Sequence, residues 1–143
     1  MPTLQELLNT PDRRPKVLLA CQALVEDELS RAKGVSGIAL RTAFSVIQAL
    51  DGDFIQKALD RLFDDFITHL EPFWAKTTVE RVEQDWKANA PEVANALLGA
   101  ADTKVDRVQN QTIKKVYKKL RPKAAGYVEN AVPGLAEVVV SFA

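Results

Sequence analysis

The sequence has one cysteine and one histidine in 143 residues, and these low numbers exclude several kinds of site. Cys21 alone permits no disulfide within the chain, so nothing requires an oxidising compartment. A closed zinc site needs several cysteine or histidine ligands, and a helical di-iron site needs Glu-x-x-His on two helices. Because His69 is the only histidine, we expect no metal and no other cofactor.

Catalytic motifs are also absent. The sequence has no Gly-x-Ser-x-Gly, no Walker loop and no Gly-x-Gly-x-x-Gly. Asp65 precedes His69 by four residues on one helical face, as in an oriented general base. A favourable ion pair near a helix end explains the same spacing more simply. We therefore predict that the protein is not an enzyme, and the motifs indicate no small-molecule ligand.

Long apolar stretches are missing as well. None reaches the roughly 18 residues that span a bilayer, and the longest candidate, residues 35–50, is interrupted by Arg41 and Gln48. The N-terminal residues lack the basic and apolar regions of a signal peptide. The 47% apolar and 27% charged residues are typical of a globular protein. We expect one domain over residues 1–143 in a soluble, cytoplasmic protein.

No segment alternates with a period of two, whereas spacings of three and four dominate. This pattern predicts an all-α protein, a single compact bundle of about six to seven helices. Gly34 fits the left-handed residue that follows a first long helix. Pro72 and Pro133–Gly134 are expected to end helices, and Pro122 to kink or divide one.

Two helices are expected to supply much of the core. The most regular runs from Phe54 to about residue 70 and places Leu62, Phe63 and Phe66 in the middle of its apolar stripe. The helix over residues 37–50 is apolar around most of its circumference, so we expect it to be buried on several sides.

The net charge is zero, but the charges are distributed unevenly. Residues 51–92 carry ten acidic and five basic side chains, and residues 93–143 carry four and eight. A basic helix is predicted over residues 111–123, and such a surface suits the phosphates of nucleic acid or anionic lipid. A solvated face, or one paired with the acidic middle of the chain, is the simpler explanation. The candidate anion-binding residues are Lys114, Lys115, Lys118, Lys119, Arg121 and Lys123.

The last eleven residues, 133–143, are largely apolar and carry one acidic side chain, Glu137. A segment this short does not hold a helix alone in water, so it must dock on its own bundle or on a second chain. The uneven charge also favours pairing of two copies. We therefore predict a homodimer held partly by Leu135, Val139 and Phe142.

Three short segments carry a resemblance to a known family. They are Gly34-Val35-Ser36-Gly37, Leu70-Glu71-Pro72-Phe73-Trp74 and Lys115-Val116-Tyr117-Lys118-Lys119-Leu120-Arg121. With them the chain resembles, over most of its length, a small bacterial all-helical family of unknown function. The resemblance implies a stand-alone helical protein and brings no activity, cofactor or catalytic residue. The leading hypothesis is a non-enzymatic protein that acts through protein–protein contact or self-association. The alternative is nucleic-acid or anionic-surface binding through residues 111–123.

Overall fold

A computed structural model describes all 143 residues and contains seven helices and no strand, which confirms the all-α prediction. No helix is both long enough and apolar enough to cross a membrane. The helices are α1 (Leu4–Leu8), α2 (Arg13–Arg31), α3 (Gly34–Leu50), α4 (Phe54–Ala75), α5 (Val82–Ala88), α6 (Ala90–Val105) and α7 (Gln111–Phe142).

The core is built by every helix except α3. It contains Leu4 of α1, Val17 of α2, Phe63 and Trp74 of α4, and Trp86 of α5, together with residues of α6 and α7. The short α1 is fixed by polar contacts at its start. The Leu4 backbone N–H donates to Glu71 Oε2 at 2.8 Å, and Trp74 Nε1 donates to the Pro2 carbonyl at 2.7 Å. The N-terminal segment therefore closes one end of the bundle.

The prolines do not end the helices, contrary to expectation. Helix α4 continues through Pro72 to Ala75, and α7 continues through Pro122 and Pro133 to Phe142. A proline inside a helix costs about 3 kcal/mol. Each fully buried valine returns about 1.5–3 kcal/mol, and Val132 and Val139 of α7 are completely buried. Burial of these valines and of the rest of the continuous α7 face therefore offsets the local cost.

Two glycines have distinct structural roles. Gly34 has a φ of +72°, which confirms the left-handed residue predicted between the first two long helices. Gly134 was expected to break a helix, but it lies inside α7. A Cβ at this position would lie 2.5 Å from Leu24 Cδ1 of α2. Gly134 therefore allows close contact between α2 and α7 rather than ending an element.

The predicted core residues of α4 are only partly correct. Phe63 is buried, but Leu62 and Phe66 are half-buried. Helix α4 contacts α1, α2 and α6. Phe66 borders the open space described below, which leaves part of its side chain uncovered.

Helix α3 departs furthest from expectation. Only Gly37, Leu40 and Ile47 are buried, whereas Val35 and Ile38 are 83% and 60% exposed. The expectation that this helix is buried on several sides is therefore wrong. Helix α3 packs mainly on α2 and α7, and its outer side, with Val35 and Ile38, is exposed.

Candidate functional site

An apolar cavity of about 340 Å³ lies between α2, α3, α4, α6 and α7. Of its 25 lining residues, 24 are hydrophobic. Ligand pockets in proteins typically measure about 300–1,000 Å³ and are lined mainly by apolar side chains. By size and lining, this space is the best candidate site in the molecule.

The cavity exists because small side chains face inward at its walls. Ala101 of α6 and both Ala124 and Ala131 of α7 line it, opposite larger residues such as Phe44 and Phe66. The helical periodicity of α6 and α7 places these alanines on the inner side. Their methyl groups do not reach across the gap that the helix backbones leave. The space is thus encoded by the sequence of two helices.

Helix α3 closes one side of the cavity with Leu40 and Phe44. Its first turns are held against the end of α2. There, Arg41 Nη1 donates to the Ala32 carbonyl, and Gly37 approaches Ala32 so closely that a Cβ would lie 2.6 Å from its carbonyl carbon. Helix α3 therefore covers one side of the cavity, and contacts near its N-terminus hold it against the end of α2.

The opposite wall is more rigidly held. Phe63 of α4 lines the cavity, and the Arg14 guanidinium carbon lies 4.8 Å from the centre of its ring. Arg14 also pairs with Asp60 at 3.1 Å and Asp64 at 3.0 Å. These contacts connect α2 to α4 and fix the aromatic wall in place.

A polar concavity of about 460 Å³ adjoins the apolar one, and we call it the mouth. Glu28 and Tyr127 line both spaces, so the two are neighbours at these side chains. The remaining residues of the mouth are Arg31, Ala32, Lys33 and Asn130. A polar concavity and an apolar one therefore lie side by side.

The polar groups of the mouth differ in whether they have partners. Arg31 pairs with Asp27 and Glu28, each at 2.7 Å. Lys33 forms no ion pair, and no hydrogen bond within the chain involves the Tyr127 hydroxyl or the Asn130 side-chain amide. The mouth thus presents one cation and two neutral polar groups that are open to a ligand.

Cys21 lies on the α2 wall of the cavity. Burial raises the pKa of its thiol to about 11, because an apolar environment disfavours the thiolate. The thiol is consequently a poor nucleophile at neutral pH. It contributes to the apolar lining as a small hydrophobic side chain.

The predicted anion-binding residues all lie on α7, and of these six residues only Arg121 forms an ion pair. Arg121 Nε donates to Asp102 Oδ1 of α6 at 2.9 Å, and Tyr117 Oη donates to the same oxygen at 2.6 Å. These hydrogen bonds lower the pKa of the Asp102 carboxyl, and the one from Arg121 has the largest effect. Arg121 therefore connects α6 to α7, and the anion-binding role predicted for it stays untested.

The five lysines of the basic segment form no ion pair with the acidic middle of the chain. The acidic side chains of α4 pair elsewhere, Asp60 and Asp64 with Arg14 and Asp65 with Lys104 at 3.3 Å. The basic face is therefore not paired with the acidic middle of the chain, and a solvated face is the simpler explanation that remains. Binding of nucleic acid to it stays a prediction. The five residues are Lys114, Lys115, Lys118, Lys119 and Lys123.

The residues predicted to hold a homodimer pack on their own bundle. Val139 is fully buried in the core, and Leu135 lines the cavity. Phe142 is half-buried, and its carbonyl accepts a hydrogen bond from Arg13 Nη1 at 3.1 Å. The terminal segment is thus docked within the chain, and an interface through these three residues stays untested.

His69 is exposed on α4, with its Nδ1 2.7 Å from the Asp65 carbonyl oxygen. The Asp65 carboxylate pairs with Lys104 instead of orienting the imidazole. No three histidine, cysteine or acidic side chains come together as metal ligands would.

The fold and cavity define an all-helical protein with an internal apolar site. A family model described as a family of unknown function, DUF6918, matches residues 4–143. The chain belongs to this family, which confirms the resemblance to a helical family of unknown function. No curated protein and no solved structure matches the chain.

Proposed function

We propose that this protein is a non-enzymatic binding protein that holds an apolar small molecule in the apolar cavity between its helices. The observation that carries the proposal is the size of the cavity together with its lining, 24 hydrophobic residues of 25. A surface that is almost wholly apolar offers water few hydrogen bonds, and it offers an apolar molecule contact with apolar side chains.

Burial of apolar ligand surface supports the proposal. Apolar surface removed from water contributes about 25 cal/mol per Å², and the hydrophobic lining of the cavity offers such a surface to an apolar molecule.

Titration with a neutral fluorescent dye such as N-phenylnaphthylamine tests the proposal. We expect saturable binding at one site per chain, because the dye is apolar and its fluorescence rises in apolar surroundings. Ala131→Phe should abolish binding, since the larger side chain occupies the cavity, and should raise the melting temperature by filling it. Ala23→Phe on the exposed side of α2 is the matched control and should bind the dye normally.

Dye binding that is absent, or that is equal in both variants, contradicts the proposal. If Ala131→Phe lowers the melting temperature and Ala23→Phe does not, the space at Ala131 is too small to accept an added ring. That outcome also contradicts the proposal.

A second candidate function is self-association through α3. Its exposed residues include Val35, Ile38, Val46 and Leu50, and Arg41 is the only charged residue among its seventeen. An uncharged apolar face is self-complementary, which a two-fold dimer requires. The second copy of the chain is therefore the partner we propose for this face.

A further inference from the structure

Helix α3 is held less firmly than the other long helices, and this bears on how a molecule reaches the cavity. The buried core of the bundle contains no residue of α3. Its buried residues are Gly37, Leu40 and Ile47, and only Ile47 lies in its last two turns. An element with few buried apolar side chains opens locally at a lower free energy than the core helices. Displacement of α3 therefore leaves the core intact.

The two connections of α3 suit a hinged movement. At its start, Gly34 has a φ of +72°, a conformation that glycine adopts without strain. At its end, Asp51-Gly52-Asp53 joins it to α4, and no neighbouring atom lies within 4 Å of where a Cβ of Gly52 would stand. Hinges are a few residues at the ends of elements that absorb changes in φ and ψ. Helix α3 can thus move as a unit between α2 and α4.

The inner side of α3 faces the apolar cavity and closes it incompletely. Leu40 and Phe44 line the cavity from α3, and Phe66 lines it from α4. Both phenylalanines are half-buried. An inward movement of α3 onto a bound molecule removes apolar surface of that molecule and of Phe44 from water, which favours the closed position. An outward movement widens the way in.

We infer that α3 is the lid of the cavity, which moves outward to admit an apolar molecule and closes over it once it is bound. The inference concerns access to the site and rests on the proposed function. Two contacts near the start of α3 oppose the outward movement. Arg41 Nη1 donates to the Ala32 carbonyl, and Gly37 packs on the same residue. Loss of the Arg41 contact therefore makes the open position more frequent.

Hydrogen exchange of the free protein, followed by mass spectrometry, tests the movement without a ligand. We expect the backbone amides of α3 to exchange faster than those of α6, a helix of the core. Low concentrations of urea should hardly change the rate in α3, because local opening exposes little surface, and should accelerate α6, which exchanges through global unfolding. The same rate and the same urea dependence in both helices would overturn the inference.

Exchange in the presence of the dye connects the movement to the site. At ten times the dissociation constant of N-phenylnaphthylamine, the amides of α3 should exchange about tenfold more slowly, because the open lid does not hold the dye. Unchanged exchange of α3 in the dye complex would overturn the inference. Absence of dye binding would instead contradict the proposed function, whereas exchange of the free protein would still show whether α3 opens.

Arg41→Ala and a matched control, Arg81→Ala, separate a lid from general loosening. Arg81 pairs with Asp85 at 3.6 Å at the start of α5, and neither residue lines the cavity. Loss of one typical hydrogen bond, about 1 kcal/mol, corresponds to about a fivefold change in population. In Arg41→Ala we expect exchange of α3, dye association and dye dissociation each to become about fivefold faster. The affinity should stay the same, since the closed position still predominates. Arg81→Ala should match the wild type in every respect.

Three results with Arg41→Ala would overturn the inference. Equal acceleration of exchange in every helix would show general destabilisation. Faster dissociation alone would show that Arg41 contacts the dye. Unchanged association would show that the dye enters through an opening that α3 does not control.

Discussion

Cys21 shows how a single residue connects the sequence to the site. Its position in an apolar run of the sequence is typical of a small buried hydrophobic side chain, and the structure places it on the cavity wall. What the run did not reveal is that the wall faces an open space. The local sequence indicates which side of a helix is apolar, but the neighbouring helices decide what lies opposite.

The Cys21 thiol predicts a pH dependence of stability. An unfolded thiol ionises near pH 8.5, whereas the folded one has a pKa of about 11. Between these values the folded state binds more protons than the unfolded state, so the free energy of unfolding falls as the pH rises. The full loss is about 3 kcal/mol, and it is complete near pH 11. Below about pH 8 the contribution is fully present.

Urea unfolding of the wild type and of Cys21→Ala at several values between pH 8 and pH 11 measures this effect. Lysines and tyrosines titrate in the same range in both proteins, so the variant is the control. We expect the wild type to lose stability more steeply than Cys21→Ala. Parallel curves would show that the thiol is not buried as described.

Arg121 illustrates why the sequence does not reveal every contact of a candidate site residue. Its place in a basic segment indicated anion binding, but its partner Asp102 lies nineteen residues earlier, on another helix. No local spacing reveals such a pair. The lysines beside it have no distant partner, and for them the prediction of a solvated charged face was sufficient.

Among the elements, α4 and α7 show where the rules for helix ends fail. Proline carries a known local penalty, and the sequence analysis placed helix ends at Pro72 and Pro133 for that reason. The compensation comes from residues such as Trp74 and Val139, which contact other helices. Periodicity therefore indicates the apolar side of a helix such as α4 only in part, and tertiary packing determines where the helices end.

Two glycine substitutions test how α3 is anchored. In Gly37→Ala the new Cβ would lie 2.6 Å from the Ala32 carbonyl carbon, so the backbone must move. We expect a loss of about 1–3 kcal/mol, as for other overpacked sites. Gly99→Ala of α6 has no atom within 4 Å and should gain about 0.5–1 kcal/mol from its higher helix propensity.

Thermal melts of the two variants beside the wild type check this prediction. Gly99→Ala is the matched control, because it makes the same change inside another helix. A Gly37→Ala protein that melts at or above the wild-type temperature would mean that the start of α3 is not held against Ala32. The cover of the cavity would then lack the anchor described for it.

At the scale of the molecule, the cavity could not be predicted from the sequence. Helical spacing alone indicates that Ala101, Ala124 and Ala131 lie on inner faces. Whether a small residue meets a large one or faces a gap depends on the distance between helix axes, which no periodicity contains. The helical class and most of the core faces follow from the pattern, but the candidate site follows from the packing.

The surface area of the whole molecule bears on the proposed self-association. The chain exposes 8287 Å², whereas a folded monomer of this mass typically exposes about 7,300 Å². Each partner in a standard interface buries about 800 Å². The excess is of that order, and the uncovered face of α3 contributes to it. The area is therefore sufficient for a dimer of this chain.

Sedimentation at micromolar concentration tests the homodimer. We expect the wild type to sediment as a dimer and Ile38→Glu as a monomer, because the charge would be buried without a partner at the centre of the α3 face. Leu19→Glu is the matched control, since Leu19 is equally exposed, at 64%, but lies on α2, and it should remain a dimer. A monomeric wild type would contradict self-association. A dimer that survives Ile38→Glu would move the interface away from α3, toward Leu135 and Phe142 at the end of α7.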